Sequence, residues 1–261
     1  MHSSDPLPVH AFQKDNLNVR VYGTREAMGQ AAASDVATYL RQILTEQETA
    51  RIVFAAAPSQ NEFLAALRAM ADLPWQRIVA FHMDEYVGLP DDAPQRFGNF
   101  LRERIFDLPF AEVNYLDGNA PDVEAECARY AALLQEAPLD IVCAGIGENG
   151  HMAFNDPHVA DFDDPAWVKP VTLDDVCRQQ QVNDGAFERI EQVPKQALTM
   201  TMHALMSASH VACVVPGPTK RVAVASTLEG PIEESCPATI MRRHADTVLY
   251  LDAAAAERVR S

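Results

Sequence analysis

Leu139-Asp140-Ile141-Val142-Cys143-Ala144, followed at once by Gly145-Ile146-Gly147-Glu148-Asn149-Gly150-His151-Met152-Ala153-Phe154-Asn155-Asp156-Pro157, decides how the chain folds and where it works. The first six residues are a short apolar run of the kind that forms a strand buried on both faces. The next thirteen hold three glycines, a histidine, two acids and two amides. Glycine lets backbone approach a ligand closely, and open α/β sheets bind ligands just beyond the carboxyl ends of their strands. Gly147 and Gly150 are therefore expected to face a ligand, with His151 among the reacting groups.

Outward from this stretch, strands and helices alternate. Ala27, Met28, Ala31, Ala32, Val36, Leu40, Ile43 and Leu44 recur at helical spacing and precede the buried run 51–57. Further strands are expected at 77–82, 139–145, 197–202, 210–215 and 247–251. Helices are expected near 60–71, 95–106, 122–136, 174–182, 218–228 and 252–259. Such alternation predicts an α/β fold whose mainly parallel sheet is covered on both faces. Residues 1–18 read as a polar, irregular segment, and 1–261 as a single domain without linker or repeat.

The chain has 261 residues, 48% of them hydrophobic, and a formal charge of −16. The acidic balance argues against nucleic acid and anionic membrane as partners, since both demand basic surface. No apolar run approaches spanning length and no signal-peptide core precedes residue 19, so a cytoplasmic protein is expected. Five scattered cysteines without C-x-x-C spacing predict reduced thiols. His82, His158 and Asp156 are the nearest thing to a metal set, but no spacing fixes them on one helix face, and no required metal is expected.

The glycines also fit G-x-G-x-x-G. A dinucleotide site needs the third glycine to open a long helix, yet Pro157 comes seven residues after Gly150, and no acid marks a second strand end about 20 residues on. No nicotinamide or other cofactor is expected.

Together with Phe81-His82-Met83-Asp84-Glu85-Tyr86-Val87-Gly88-Leu89-Pro90, the Gly145–Pro157 stretch closely resembles the glucosamine-6-phosphate deaminase (isomerase) family over nearly the whole chain. The resemblance implies a three-layer Rossmann-like sandwich and conversion of glucosamine 6-phosphate and water to fructose 6-phosphate and ammonia. It implies Asp84 as the base that takes the C2 proton, with Glu85 in support, and His151 as the carrier of the ring hydroxyl's proton. The family's two acids around that histidine fall here on Asn149 and Asp156. An amide can orient an imidazole but cannot stabilise its cation as a carboxylate does, and Asp156 has one methylene less of reach.

Phosphate recognition departs further. Ser59, Gln60 and Asn61 stand where the family has a glycine- and threonine-rich phosphate loop. Ser59 and Glu62 have capping-box spacing, and the Glu62 carboxylate would compete with phosphate for the helix N-terminus. Lys220 falls on the family's phosphate-binding lysine, with Arg221 beside it. The family's phosphate arginine falls on Asn183 by one alignment and Gln181 by another, Arg178 matching a different arginine. Thr199, Thr201 and His203 read as alternating strand residues, and Lys169 as a remnant of an allosteric site. The expected partner is a small sugar phosphate, with homo-oligomerisation open. A 6-phosphogluconolactonase-type hydrolase and a non-catalytic sugar-phosphate sensor are the alternatives.

Overall fold

The computed structural model describes residues 5–259. Strand β1 (His10–Lys14) turns through Asp15, which has a positive φ, into β2 (Leu17–Tyr22). The Thr24 hydroxyl accepts from the Ala27 N–H and opens the long helix α1 (Arg25–Glu46). There follow β3 (Ala50–Phe54), α2 (Asn61–Arg68), β4 (Ile78–His82), β5 (Asp84–Tyr86), α3 (Phe97–Leu101) and β6 (Glu112–Asn114). A wider helical turn over Arg102–Phe106 prolongs α3. Helix α4 (Val123–Gln135) begins at an Asp122 cap and leads into β7 (Ile141–Ala144). The remainder is β8 (Val168–Thr172), α5 (Asp175–Asn183), β9 (Gln196–Met200), α6 (Met202–Met206), β10 (His210–Val215), α7 (Arg221–Glu229) and β11 (Thr247–Asp252).

Eight strands form one sheet in the order β1-β2-β11-β10-β7-β3-β4-β6, parallel throughout except for the β1–β2 hairpin. Alternation along β3 shows why both faces must be covered. Ile52 and Phe54 pack with Met28, Val36 and Leu40 of α1 and Leu64 and Leu67 of α2, whereas Val53 points to the other core, with Tyr130 and Leu134 of α4 and Val224 of α7. Each such side chain removed from water contributes about 1.5–3 kcal/mol. The result is the expected three-layer α/β arrangement. The chain passes from β3 outward to β4 and β6 on one side of β7, and returns through β10 and β11 on the other, so the strand order reverses beside β7.

A second, antiparallel sheet, β5-β9-β8, lies over this end of the molecule. It pairs Asp84 with Thr199, and a cluster containing Tyr86, Phe154, Val171 and Phe187 packs around it.

Three expectations are corrected. Residues 10–14 are a regular edge strand, so the irregular reading of 1–18 fails there; residues 1–4 lie outside the described ones. Past Asp252, which ends β11, residues 253–258 are turns and not a helix, because the Asp252 carboxylate binds the Gly217 and Ala255 N–H groups. Strand β9 stops at Met200. Thr201 caps α6, so Thr199, Thr201 and His203 are not one alternating strand.

Candidate active site

The carboxyl ends of β3, β4, β7 and β10 open onto one cleft. The turn after β3 brings Ser59 and Gln60, the β4–β5 step brings Asp84, the loop after β7 brings Gly147 and His151, and the turn after β10 brings Lys220. Helix α5 closes the far wall with Gln180 and Gln181, and Asp184 follows it. Segments more than 150 residues apart thus converge because parallel strands all end on the same side.

Asp84 is buried, and its carboxylate has no hydrogen bond or ion pair with any described residue. Burial, and after it the neighbouring Glu85, hold its carboxyl well above the usual range. Glu85 points elsewhere: its oxygens accept the N–H groups of Tyr86 at 2.9 Å, Phe97 at 3.1 Å and Gly98 at 3.0 Å. It anchors the start of α3 and does not line the cleft, where the resemblance implies a group supporting Asp84. Burial raises its pKa, with these three N–H groups and Arg96 acting the other way.

His151 lies behind Gly147 and depends on it. A Cβ at 147 would stand 2.2–2.5 Å from three ring atoms. The ring Nδ1 lies 2.7 Å from Asn149 Oδ1 and 3.0 Å from Asp156 Oδ1, and the Asn149 amide donates to that same carboxylate oxygen at 3.0 Å. The shortened Asp156 therefore does reach the imidazole, because the 152–155 turn, with Ala153 at a positive φ, folds back beneath it. Burial would raise the Asp156 pKa, but the His151 ring, the Asn149 amide and the Cys177 thiol together hold it below the ordinary value. With Nδ1 engaged, Nε2 is the ring nitrogen left without a hydrogen bond among the described residues. Gly150, at φ +87, makes the turn and would press a Cβ against Cys236 Sγ at 2.6 Å; it does not line the cleft.

At the other end, Gln60 is 1% exposed and donates to Val214 O at 3.1 Å and Ser59 Oγ at 3.2 Å. Asn61 faces away, accepting from Arg104 Nε at 2.9 Å, so it is not a substrate contact. Glu62 makes no capping bond; Arg25 grips its carboxylate at 3.1 and 2.8 Å, which removes it as a competitor for phosphate. Lys220 is 5% exposed and its ammonium makes no hydrogen bond or ion pair with a described residue. Burial lowers its pKa, with Asp184 and Glu148 pulling the other way.

The alternative placements of the missing arginine separate cleanly. Gln181 lines the cleft, whereas Asn183 is exposed and donates to Glu148 at 3.4 Å. Arg178 is consumed by the carbonyls of Ile190 and Val193. Asp184 is a cleft residue that sequence reasoning missed; the Asn183-Asp184-Gly185 turn signals a helix end, not a site. Lys169 is engaged by Asp164 at 2.8 Å and Val159 O at 2.7 Å, and Arg221 by Glu257 at 3.2 Å. His203 rests against Trp167, and the Thr199 hydroxyl accepts the Phe154 N–H.

Ligand-capable atoms gather within 4.8 Å twice among the described residues, as His151–Asp156–Cys177 and as Asp156–His158–Asp174; His82 joins neither. In the first group burial keeps the Cys177 thiol protonated and Asp156 is committed to His151, an arrangement suited to moving protons.

The model of the glucosamine-6-phosphate isomerases/6-phosphogluconolactonase family matches residues 23–250. Glucosamine-6-phosphate deaminases of Bacillus cereus strain B4264 and Bacillus thuringiensis strain Al Hakam are each 32% identical over 237 residues, 90% of this chain and 87% of theirs. A solved monomeric glucosamine-6-phosphate deaminase is 31% identical, with a TM-score of 0.84 over 92% of this chain and 99% of that one. The 6-phosphogluconolactonase of Thermotoga maritima shares the fold at 19% identity and a TM-score of 0.73, covering 90% and 99%. A sheet that reverses its order beside β7, a match to the family over most of its length and deaminase relatives at about a third identity lead to one conclusion: the chain belongs to the glucosamine-6-phosphate isomerase/6-phosphogluconolactonase family.

Proposed function

We propose that this protein, acting as one catalytic domain, converts glucosamine 6-phosphate and water to fructose 6-phosphate and ammonia. The observation that carries the reading is the pairing, across one cleft, of an unpartnered high-pKa carboxylate at Asp84 with an imidazole whose Nδ1 is already held by Asp156. These are the two proton carriers that the reaction needs.

His151, through its free Nε2, takes the C1 hydroxyl proton and returns one to the ring oxygen as the pyranose opens. Asp156 steadies the cation that forms. Asp84 then removes the C2 proton of the open-chain aldehyde, and the C–H electron pair forms the C1–C2 double bond of an enol as the C1 oxygen takes a proton from solvent. Asp84, its proton exchanging with solvent, protonates C1 as the amine gives up a proton to solvent, which leaves an imine at C2. Water adds there, the C–N bond breaks, and ammonia leaves a ketone. A carboxyl raised by burial is a stronger base towards a C–H bond than an ordinary aspartate. The steps are internally redox-balanced and call for no cofactor. Ser59 and Lys220 are assigned to the phosphate, with Gln181 in place of an arginine.

Purified protein given glucosamine 6-phosphate should release ammonia and fructose 6-phosphate in equal amounts. Hydrolysis of 6-phosphogluconolactone with no ammonia from the amino sugar phosphate would assign it instead to the lactonase branch. Binding of both without product would make it a sensor.

A further inference from the structure

His82 is fully buried and takes no part in the chemistry above, yet both of its ring nitrogens are committed. The Leu116 backbone N–H donates to Nε2 at 3.0 Å, so Nε2 carries the lone pair. Nδ1 lies 2.8 Å from the backbone carbonyl oxygen of Asp84, which can only accept, so Nδ1 carries the proton. The hydrogen bonds themselves fix the tautomer. Burial, the largest influence, pushes the ring's pKa down to about 4, so it is neutral at working pH. The backbone of His82 is itself held, its N–H donating to the Tyr130 hydroxyl at 3.0 Å and its carbonyl accepting from that hydroxyl at 2.8 Å.

Asp84 needs such a holder. Its carboxylate has no hydrogen bond with any described residue, so its aim follows its backbone and the packing around it. That backbone sits at the step from the main sheet to the small one: His82 ends β4, and Asp84 begins β5.

We propose that His82 is a positioning residue for the proton-transfer base, its neutral ring tying the Asp84 carbonyl to the chain after β6 and so aiming a carboxylate that no hydrogen bond of its own holds. This rests on the role given to Asp84 above. An asparagine at 82 can place an amide N–H where Nδ1 stands, keeping the bond to Asp84 and losing the one from Leu116. A glutamine can place an amide oxygen near Nε2, keeping Leu116 and losing Asp84. Both variants lose one buried hydrogen bond, and only one loses the tie to the base.

The test measures C2 hydrogen exchange of glucosamine 6-phosphate in D2O, with kcat, KM and Tm, for wild type, His82→Asn and His82→Gln. His82→Gln should lose at least about tenfold in exchange and kcat with KM within about twofold, the scale of a sub-ångström misplacement. His82→Asn should stay within about threefold of wild type while its Tm falls as much as that of His82→Gln. Equal losses in the two variants, or losses that follow Tm, would overturn the positioning role while leaving Asp84 in place. Absence of C2 exchange in the wild type would overturn the role of Asp84 and this proposal with it.

Discussion

Asp84 enters the proposed reaction as a buried carboxylate with no partner, and such a group destabilises the folded state when ionised. Burial, then Glu85, raises its native pKa above the value of an unfolded aspartate. A carboxyl raised in this way contributes stability that is complete below the unfolded pKa and is lost as pH rises through the native one. At pH 7 the native protein therefore carries a penalty. Asp84→Asn should raise Tm at pH 7, with the gain shrinking on acidification, while C2 exchange falls at least about a hundredfold. A Tm that drops at pH 7, or exchange left unchanged, would remove the strained-base account. In the wild type, exchange should rise with pH through a midpoint above the ordinary carboxylate range. Lys220 and Asp184 oppose each other at the far end of the cleft. Lys220→Ala should raise KM for the phosphorylated sugar far more than for glucosamine. Asp184→Asn should lower it a few-fold, the scale of a partly exposed charge interaction. Identical shifts for both sugars would place the phosphate elsewhere.

Among the elements, the loop after β7 was the most legible, because a buried apolar run ending in glycines has few other uses. Its glycines divide the work: Gly147 lines the cleft and makes room for the His151 ring, whereas Gly150 lies off the cleft and lets the turn pack against Cys236. Gly147→Ala should displace the imidazole and cut turnover of the cyclic sugar by about a hundredfold, while C2 exchange on an open-chain analogue persists. Loss of both activities together would contradict the division of labour between His151 and Asp84. The small sheet was hidden in the sequence. Strand β5 is three residues long and β8 contains Pro170, so neither shows a period, and each exists through pairing with β9. The hairpin strand β1 was hidden because an exposed edge strand needs little apolar sequence. Spacing misled at Ser59 and Glu62, where the tertiary partner Arg25 outcompeted a local cap. Asp184 could not be found by pattern, since its place in the cleft depends on where α5 ends against the loops that follow β7 and β10.

At the scale of the whole molecule, a formal charge of −16 surrounds a cleft meant for a phosphorylated sugar. Among the described residues no helix is long and apolar enough to cross a membrane. Repulsion between protein and substrate should slow encounter at low salt, so kcat/KM should rise as ionic strength goes from about 0.01 M to about 0.15 M. A fall would mean that the local field of Lys220 outweighs the global charge. The proposed reaction turns on Asp84 taking a proton from C2 and delivering one, exchanged with solvent, to C1 before ammonia leaves. The most direct measurement is NMR of the reaction of glucosamine 6-phosphate in D2O. It should show fructose 6-phosphate carrying deuterium at C1 with ammonia released in step, and should show the same labelling at least about a hundredfold slower with Asp84→Asn. Ammonia released without label or ketose, or labelling undiminished in Asp84→Asn, would contradict it.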